Sequence, residues 1–236
     1  MNRYRLSRRL LIGGACAASL GGWRRPGQAH EAAPGLTPDE ALERLVQGNR
    51  AFSTDSPLQV AQGRERRLAL AQSQTPFAVL VSCSDSRVPP ELLFGRGLGE
   101  LFIIRNAGNT VDTTALGSIE YAVNHLNTPL VVVMGHERCG AVAAAVKTVE
   151  ENVHFPGAIG SMIEPIIPAV LLAKAHDHSD LLDNSVRHNV RRVVEHLRET
   201  ASPDLLAKQA AGRLKIVGAR YDLDTGVVDF FDTGAV

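Results

Sequence analysis

The apolar positions of this chain change their spacing at about residue 77. Ahead of it, in "TPDEALERLVQGNRAF", Leu42, Leu45 and Val46 recur at helical intervals and predict a helix with one apolar face. Thr37 stands at its N-cap, Pro38 at its first position, and Glu40 completes a capping box. "GRERRLALAQ" predicts a second helix running to about Gln72. From Phe77 the pattern becomes strand and helix in alternation. "FAVLVS" and "PLVVVMG" are short continuous apolar runs, as buried parallel strands require. "ELFIIRNAGN" is a further strand, closed by Asn106, Gly108 and Asn109. Between them, "DTTALGSIEYAVNHL" places Ala115, Leu116, Ile119, Ala122, Val123 and Leu126 on one helical face. "AVAAAVKTV" reads as helix, followed by helices at about Gly160–Ala175 and Leu181–Thr200. "RLKIVGARYDLDTGVVDFF" closes the chain as two strands joined at Asp224-Thr225-Gly226. This order predicts an α/β fold: about four parallel strands plus an antiparallel edge strand, flanked by helices, with an N-terminal helical arm. The expected divisions are 1–29, an arm at 30–76 and a core at 77–236.

Charge separates the first of these from the rest. The whole chain balances 25 basic against 25 acidic residues. Six of the arginines fall within residues 1–29, which hold no acid, so the remainder carries 19 against 25, a net charge of −6. Such a surface gives no footprint for nucleic acid. The leader has the arginine pair Arg8-Arg9 ahead of about 14 mostly apolar residues, too few to span a bilayer at ~20 residues. That pattern predicts a twin-arginine signal peptide, removed after about Ala29, and a periplasmic product. No other segment reads as a membrane span. Removing the leader also removes Cys16 and leaves Cys83 and Cys139.

Two cysteines in an exported chain first suggest a disulfide. Their surroundings suggest a metal instead. Cys83 follows one predicted buried strand; His136 follows another and precedes Cys139 by three residues. Ligand sites of open α/β sheets lie at the carboxyl ends of strands. There Cys83, Asp85, His136 and Cys139 can converge, although Cys83 and His136 are 53 residues apart. Thiolate, imidazole and carboxylate together favour zinc. With Asp85 the set has four ligands and is closed; without it, three remain and one position stays open for water. Arg87, two residues beyond Asp85, can hold that carboxylate off the metal through a bidentate pair. The spacing permits both arrangements.

These segments resemble the β-class carbonic anhydrases. The family's Cys-x-Asp-x-Arg stands here as Cys83-Ser84-Asp85-Ser86-Arg87, and its His-x-x-Cys as His136-Glu137-Arg138-Cys139. "RNAGN", "GSIEYAV", "GHERCGAV" and "ARYDLDTGVVDF" follow in family order, and the likeness runs from about Thr37 to Phe231. It implies a lyase that reversibly hydrates carbon dioxide to bicarbonate and a proton. One zinc per subunit would sit on Cys83, His136 and Cys139, with Asp85 and Arg87 as catalytic dyad and the Gly140 N–H on bicarbonate. It also implies a homodimer or multiple of dimers, with N-terminal helices clasping a neighbour. No membrane partner is expected once the leader is gone. One departure is Trp23: the only tryptophan lies in the leader, which argues against a second bicarbonate pocket built on tryptophan. Two other readings compete. One is hydrolysis of carbonyl sulfide or carbon disulfide on the same scaffold. The other is a zinc-stabilised binding protein without turnover.

Overall fold

The computed structural model describes residues 35–176, 179–199 and 202–233. The leader, Cys16 and Trp23 lie outside the described residues. Five strands form one sheet in the order β2-β1-β3-β4-β5. They are β1 (Ala78–Cys83), β2 (Leu101–Asn106), β3 (Leu130–His136), β4 (Lys215–Tyr221) and β5 (Val228–Asp232). The first four are parallel, and β5 returns antiparallel beside β4. The chain leaves β1 to build β2 on one side and then crosses to build β3 on the other. The strand order therefore reverses between β1 and β3, and the carboxyl ends of those two strands flank the switch point.

β1 and β3 are buried along their whole length, which explains their unbroken apolar runs. One sheet face carries Leu80, Val132, Met134 and Val217 against α1 (Pro38–Ser53) and the short α3 (Pro90–Leu93). The other carries Val79, Val81, Val131 and Val133 against α4 (Thr113–His125), α8 (Leu181–Glu199) and α9 (Pro203–Ala210). Gly135 lets β3 approach α8 closely: a Cβ there would lie 2.7 Å from a methyl of Val186.

The N-terminal arm divides into two unlike parts. α2 (Arg64–Leu70) buries none of its residues. α1 lies on the sheet of its own chain, with Ala41 and Leu45 fully buried. Its capping box forms as expected, with the Glu40 amide donating to Thr37 Oγ1 and the Thr37 amide to Glu40 Oε2. Asn49, buried on its inner face, donates to the carbonyl of Gly226 at 2.9 Å and accepts from the Val228 amide at 2.8 Å. The first helix is thereby tied to the last hairpin.

The helix expected at about 160–175 is three pieces: α6 (Ala158–Ile163), a 3₁₀ turn (Glu164–Ile166) and α7 (Ile167–His176). Pro165 and Pro168 lack amide protons, so the regular ladder cannot run through them. Contrary to expectation, this 19-residue stretch is long and apolar enough, by composition, to cross a membrane. Here it serves the core: Ile163, Ile166, Ala169, Val170 and Ala173 are buried.

Candidate metal centre

Cys83 ends β1, His136 ends β3, and Cys139 is the N-cap of α5 (Gly140–Glu151). Two parallel strands and the turn after the second deliver the three side chains to the switch point. All three are buried, and their ligand atoms lie within 4.8 Å of one another. The two sulfurs are 3.9 Å apart and both cysteines are free. A tetrahedral zinc with Zn–S near 2.3 Å sets its sulfurs about 3.8 Å apart.

His136 gives an independent test of fit. Its Nδ1 lies 2.9 Å from the carbonyl of Glu137. That carbonyl can only accept, so Nδ1 carries the proton and Nε2 a lone pair. Nε2 is fully buried and has no hydrogen-bond partner among the described residues. A buried lone pair facing two sulfurs is costly unless something accepts it, and a metal cation does. The thiols point the same way. The Cys83 thiol is pushed down by its hydrogen bond with Cys139, against the opposing effect of burial. Cys139 is pushed up by that same contact and by burial. Two thiols this close cannot both ionise unaided; a dication between them lets both become thiolates.

Asp85 stands outside this trio. Arg87 donates from Nε to Oδ1 at 2.9 Å, from Nη2 to Oδ2 at 2.8 Å, and from its own backbone amide to Oδ1 at 2.9 Å. These bonds hold the Asp85 carboxyl well below the usual carboxylate range. Its Oδ2 still lies only 3.9 Å from His136 Nε2. Of the four ligands the spacing offers, the structure gathers Cys83, His136 and Cys139 and places Asp85 on Arg87. Gly140 is the first residue of α5, so its N–H lacks an intrahelical acceptor. The amides of Ala141 and Val142 lie near the Cys139 sulfur and favour its thiolate.

The supporting roles of Arg105, Gly108 and Asn189 were not evident from the sequence. Arg105 near the end of β2 donates to the carbonyl of Cys83 at 2.9 Å and to that of Asp85 at 2.6 Å, which fixes the end of β1 and the loop that follows it. The Gly108 amide points at Cys83 Sγ at 3.4 Å, and the Gly108 carbonyl accepts from buried Asn189 on α8 at 2.8 Å. Asn189 had a signal: a polar residue on the helix face that also carries Val186 and Val190.

A family model described as carbonic anhydrase matches residues 78–228. A carbonic anhydrase of Mycolicibacterium smegmatis is 40% identical over 197 residues, 83% of this chain and 94% of the relative. Carbonic anhydrase 2 of Mycobacterium tuberculosis is 39% identical over 193 residues, 82% of this chain and 92% of the relative. Among solved structures, the Coccomyxa β-carbonic anhydrase in complex with acetazolamide superposes with a TM-score of 0.62 at 31% identity, over 82% of this chain and 88% of that one. A tetrameric β-carbonic anhydrase of Sordaria macrospora superposes with a TM-score of 0.64 at 26% identity, over 72% of this chain and 87% of that one.

Proposed function

The chain belongs to the β-class carbonic anhydrase family, and we propose on that premise that it works outside the cytoplasm as an exported homo-oligomer. Its reaction is the zinc-dependent, reversible hydration of carbon dioxide to bicarbonate and a proton. The observation that carries this reading is the three-residue cluster with Asp85 latched onto Arg87 beside it.

Cys83, His136 and Cys139 would hold the zinc. Bound there, zinc supplies a Lewis acid that brings the pKa of a water toward neutrality and so provides a nucleophile at physiological pH. The protein's own groups do the rest. Arg87 keeps the Asp85 carboxylate ionised and turned away from the metal position. Asp85, as an acceptor only, takes a hydrogen bond from the attacking water and aims its lone pair at carbon dioxide. The N–H of Gly140, which has no acceptor within α5, faces one oxygen of bicarbonate at the start of that helix, where the helix dipole favours an anion. Stopped-flow measurement on the purified protein is expected to give carbon dioxide hydration that is lost on chelation and returns with zinc. A zinc-saturated protein that takes up one zinc per chain and shows no hydration at pH about 8.5 would remove the reading.

Export is supported by Arg8-Arg9, the apolar run behind them and the acid-free leader. The twin-arginine route carries folded proteins, so zinc would be loaded in the reducing cytoplasm and would shield Cys83 and Cys139 afterwards. Cell fractionation is expected to place the protein in the periplasm, shortened at about residue 30. Replacing both Arg8 and Arg9 with lysine should hold the full-length chain in the cytoplasm. A full-length wild-type protein in the cytoplasm would overturn the assignment.

A further inference from the structure

The two residues between His136 and Cys139 both reach away from the metal centre, to the same place. Arg138 has a backbone φ of +53°, a left-handed conformation in which a non-glycine Cβ is crowded. Its guanidinium grips Asp224, with Nη2 to Oδ1 at 2.7 Å and Nη1 to Oδ2 at 3.0 Å, and touches Glu137 Oε1 at 3.1 Å. Glu137 donates its amide to the carbonyl of Tyr221 at 2.9 Å and accepts the Leu223 amide on Oε2 at 3.1 Å. The hydrogen bonds that Glu137 and Arg138 send out of this turn end on Tyr221–Asp224, where β4 gives way to the last hairpin, and Glu137 Oε1 also lies 3.9 Å from Arg220.

That hairpin is itself rigid. Asp222 Oδ1 accepts the amides of Asp224 and Thr225 at 3.1 and 2.9 Å, while Arg220 takes its other oxygen at 3.0 Å. Asn49 of α1 fastens the far side of the same turn. Resting on the reading of the trio as a zinc site, we propose that the Arg138–Asp224 pair is a clamp that holds the His136–Cys139 turn in its metal-binding shape. Arg138 and Asp224 are then positioning residues, acting on the metal through His136 and Cys139. A purely stabilising role fits poorly. The side chains of Arg138 and Asp224 are 48% and 69% exposed, so solvent screens the pair and limits what it adds to folding. A crowded left-handed arginine persists where its surroundings fix it, and here they fix the short link between two metal ligands.

A double-mutant cycle on the zinc enzyme tests this, with zinc affinity read by competition against a chromophoric chelator. Asp224→Ala and Arg138→Ala are each expected to weaken zinc binding about tenfold, the usual scale for groups that orient metal ligands. Because the pair acts as one unit, the double variant should also lose about tenfold, not about a hundredfold. The visible absorption of the cobalt-substituted protein should change in each variant, while the thermal midpoint of the zinc-saturated protein stays within a few degrees. Wild-type affinity and cobalt spectrum in Asp224→Ala, or losses that multiply in the double variant, would overturn the clamp. A wild-type protein that takes up no zinc would instead overturn the reading of the site.

Discussion

Cys83→Ser is expected to yield a folded protein that purifies with less than about a tenth of a zinc per chain and hydrates carbon dioxide at least ~10³-fold more slowly. The change is close to isosteric and lies at the end of a fully buried strand, so the sheet has little reason to rearrange. What changes is the chemistry of the donor. The Gly108 amide points at the Cys83 sulfur and supports a negative charge there. A serine hydroxyl stays protonated at neutral pH and is a hard, weak donor to zinc. His136 and Cys139 would then be the only strong donors left of the trio, on one short turn and with no support from β1. Metal analysis and stopped-flow kinetics on the same preparation check the prediction. Retention of one tightly held zinc with full turnover would remove Cys83 from the ligand set.

That three of the four candidate ligands could be paired across 53 residues of sequence follows from a backbone rule. Continuous apolar runs mark β1 and β3 as central strands, and the ends of central strands at a switch point share a crevice. The capping box at Thr37 and the stripe of Ala115, Ile119, Ala122 and Val123 were legible for the same reason: each signal is local. α9 was less legible. Ser202 and Pro203 offer a start signal, but only Leu205 is buried, so no apolar stripe announces the helix. Arg105 was invisible as a support because its partners are carbonyls at the end of a neighbouring strand and in the loop after it, and backbone acceptors leave no mark in sequence. α1 shows the same limit. Its apolar face is plain in the sequence, but only the fold shows that face on the sheet of its own chain.

The choice made by Asp85 is the instructive case. Spacing placed it within reach of both the metal position and Arg87, and nothing in the order of residues ranks the two. The structure decides through three donors from a single residue, one of them the Arg87 backbone amide, which no side-chain pattern reveals. Because that amide depends on the local turn, the carboxylate is oriented before the guanidinium adds its two bonds.

This division of labour makes Arg87→Ala more informative than Asp85→Asn. In the wild type the Asp85 carboxyl is held low mainly by the Arg87 side chain, so it stays ionised throughout the working range and its own titration does not shape activity near neutrality. Sign matters for stability as well. A depressed carboxylate pKa gives a contribution present above the unfolded value of about 3.9 and lost only as pH falls through the folded one. Without the Arg87 side chain the carboxylate is still anionic at pH 7 but keeps only the backbone amide of residue 87 on Oδ1, and its Oδ2, released, already lies 3.9 Å from the nitrogen that the metal would use. The expected result is capture of the fourth position by Asp85. Zinc should bind as tightly as in the wild type or more tightly, while turnover at neutral pH falls about 10²–10³-fold, the usual size of losing a positioned acid–base group. The loss should shrink as pH rises towards about 9, because hydroxide competes with the carboxylate for the open position and its concentration rises tenfold per unit. Asp85→Asn should differ in pattern: zinc affinity unchanged, turnover reduced, and no recovery at high pH, since an amide neither closes the site nor accepts as a charged group. Stopped-flow profiles between pH 6.5 and about 9 on the two variants separate these outcomes. An Arg87→Ala profile parallel to that of Asp85→Asn would mean that Arg87 serves only to keep Asp85 charged, and that the carboxylate needs no restraint to stay off the metal.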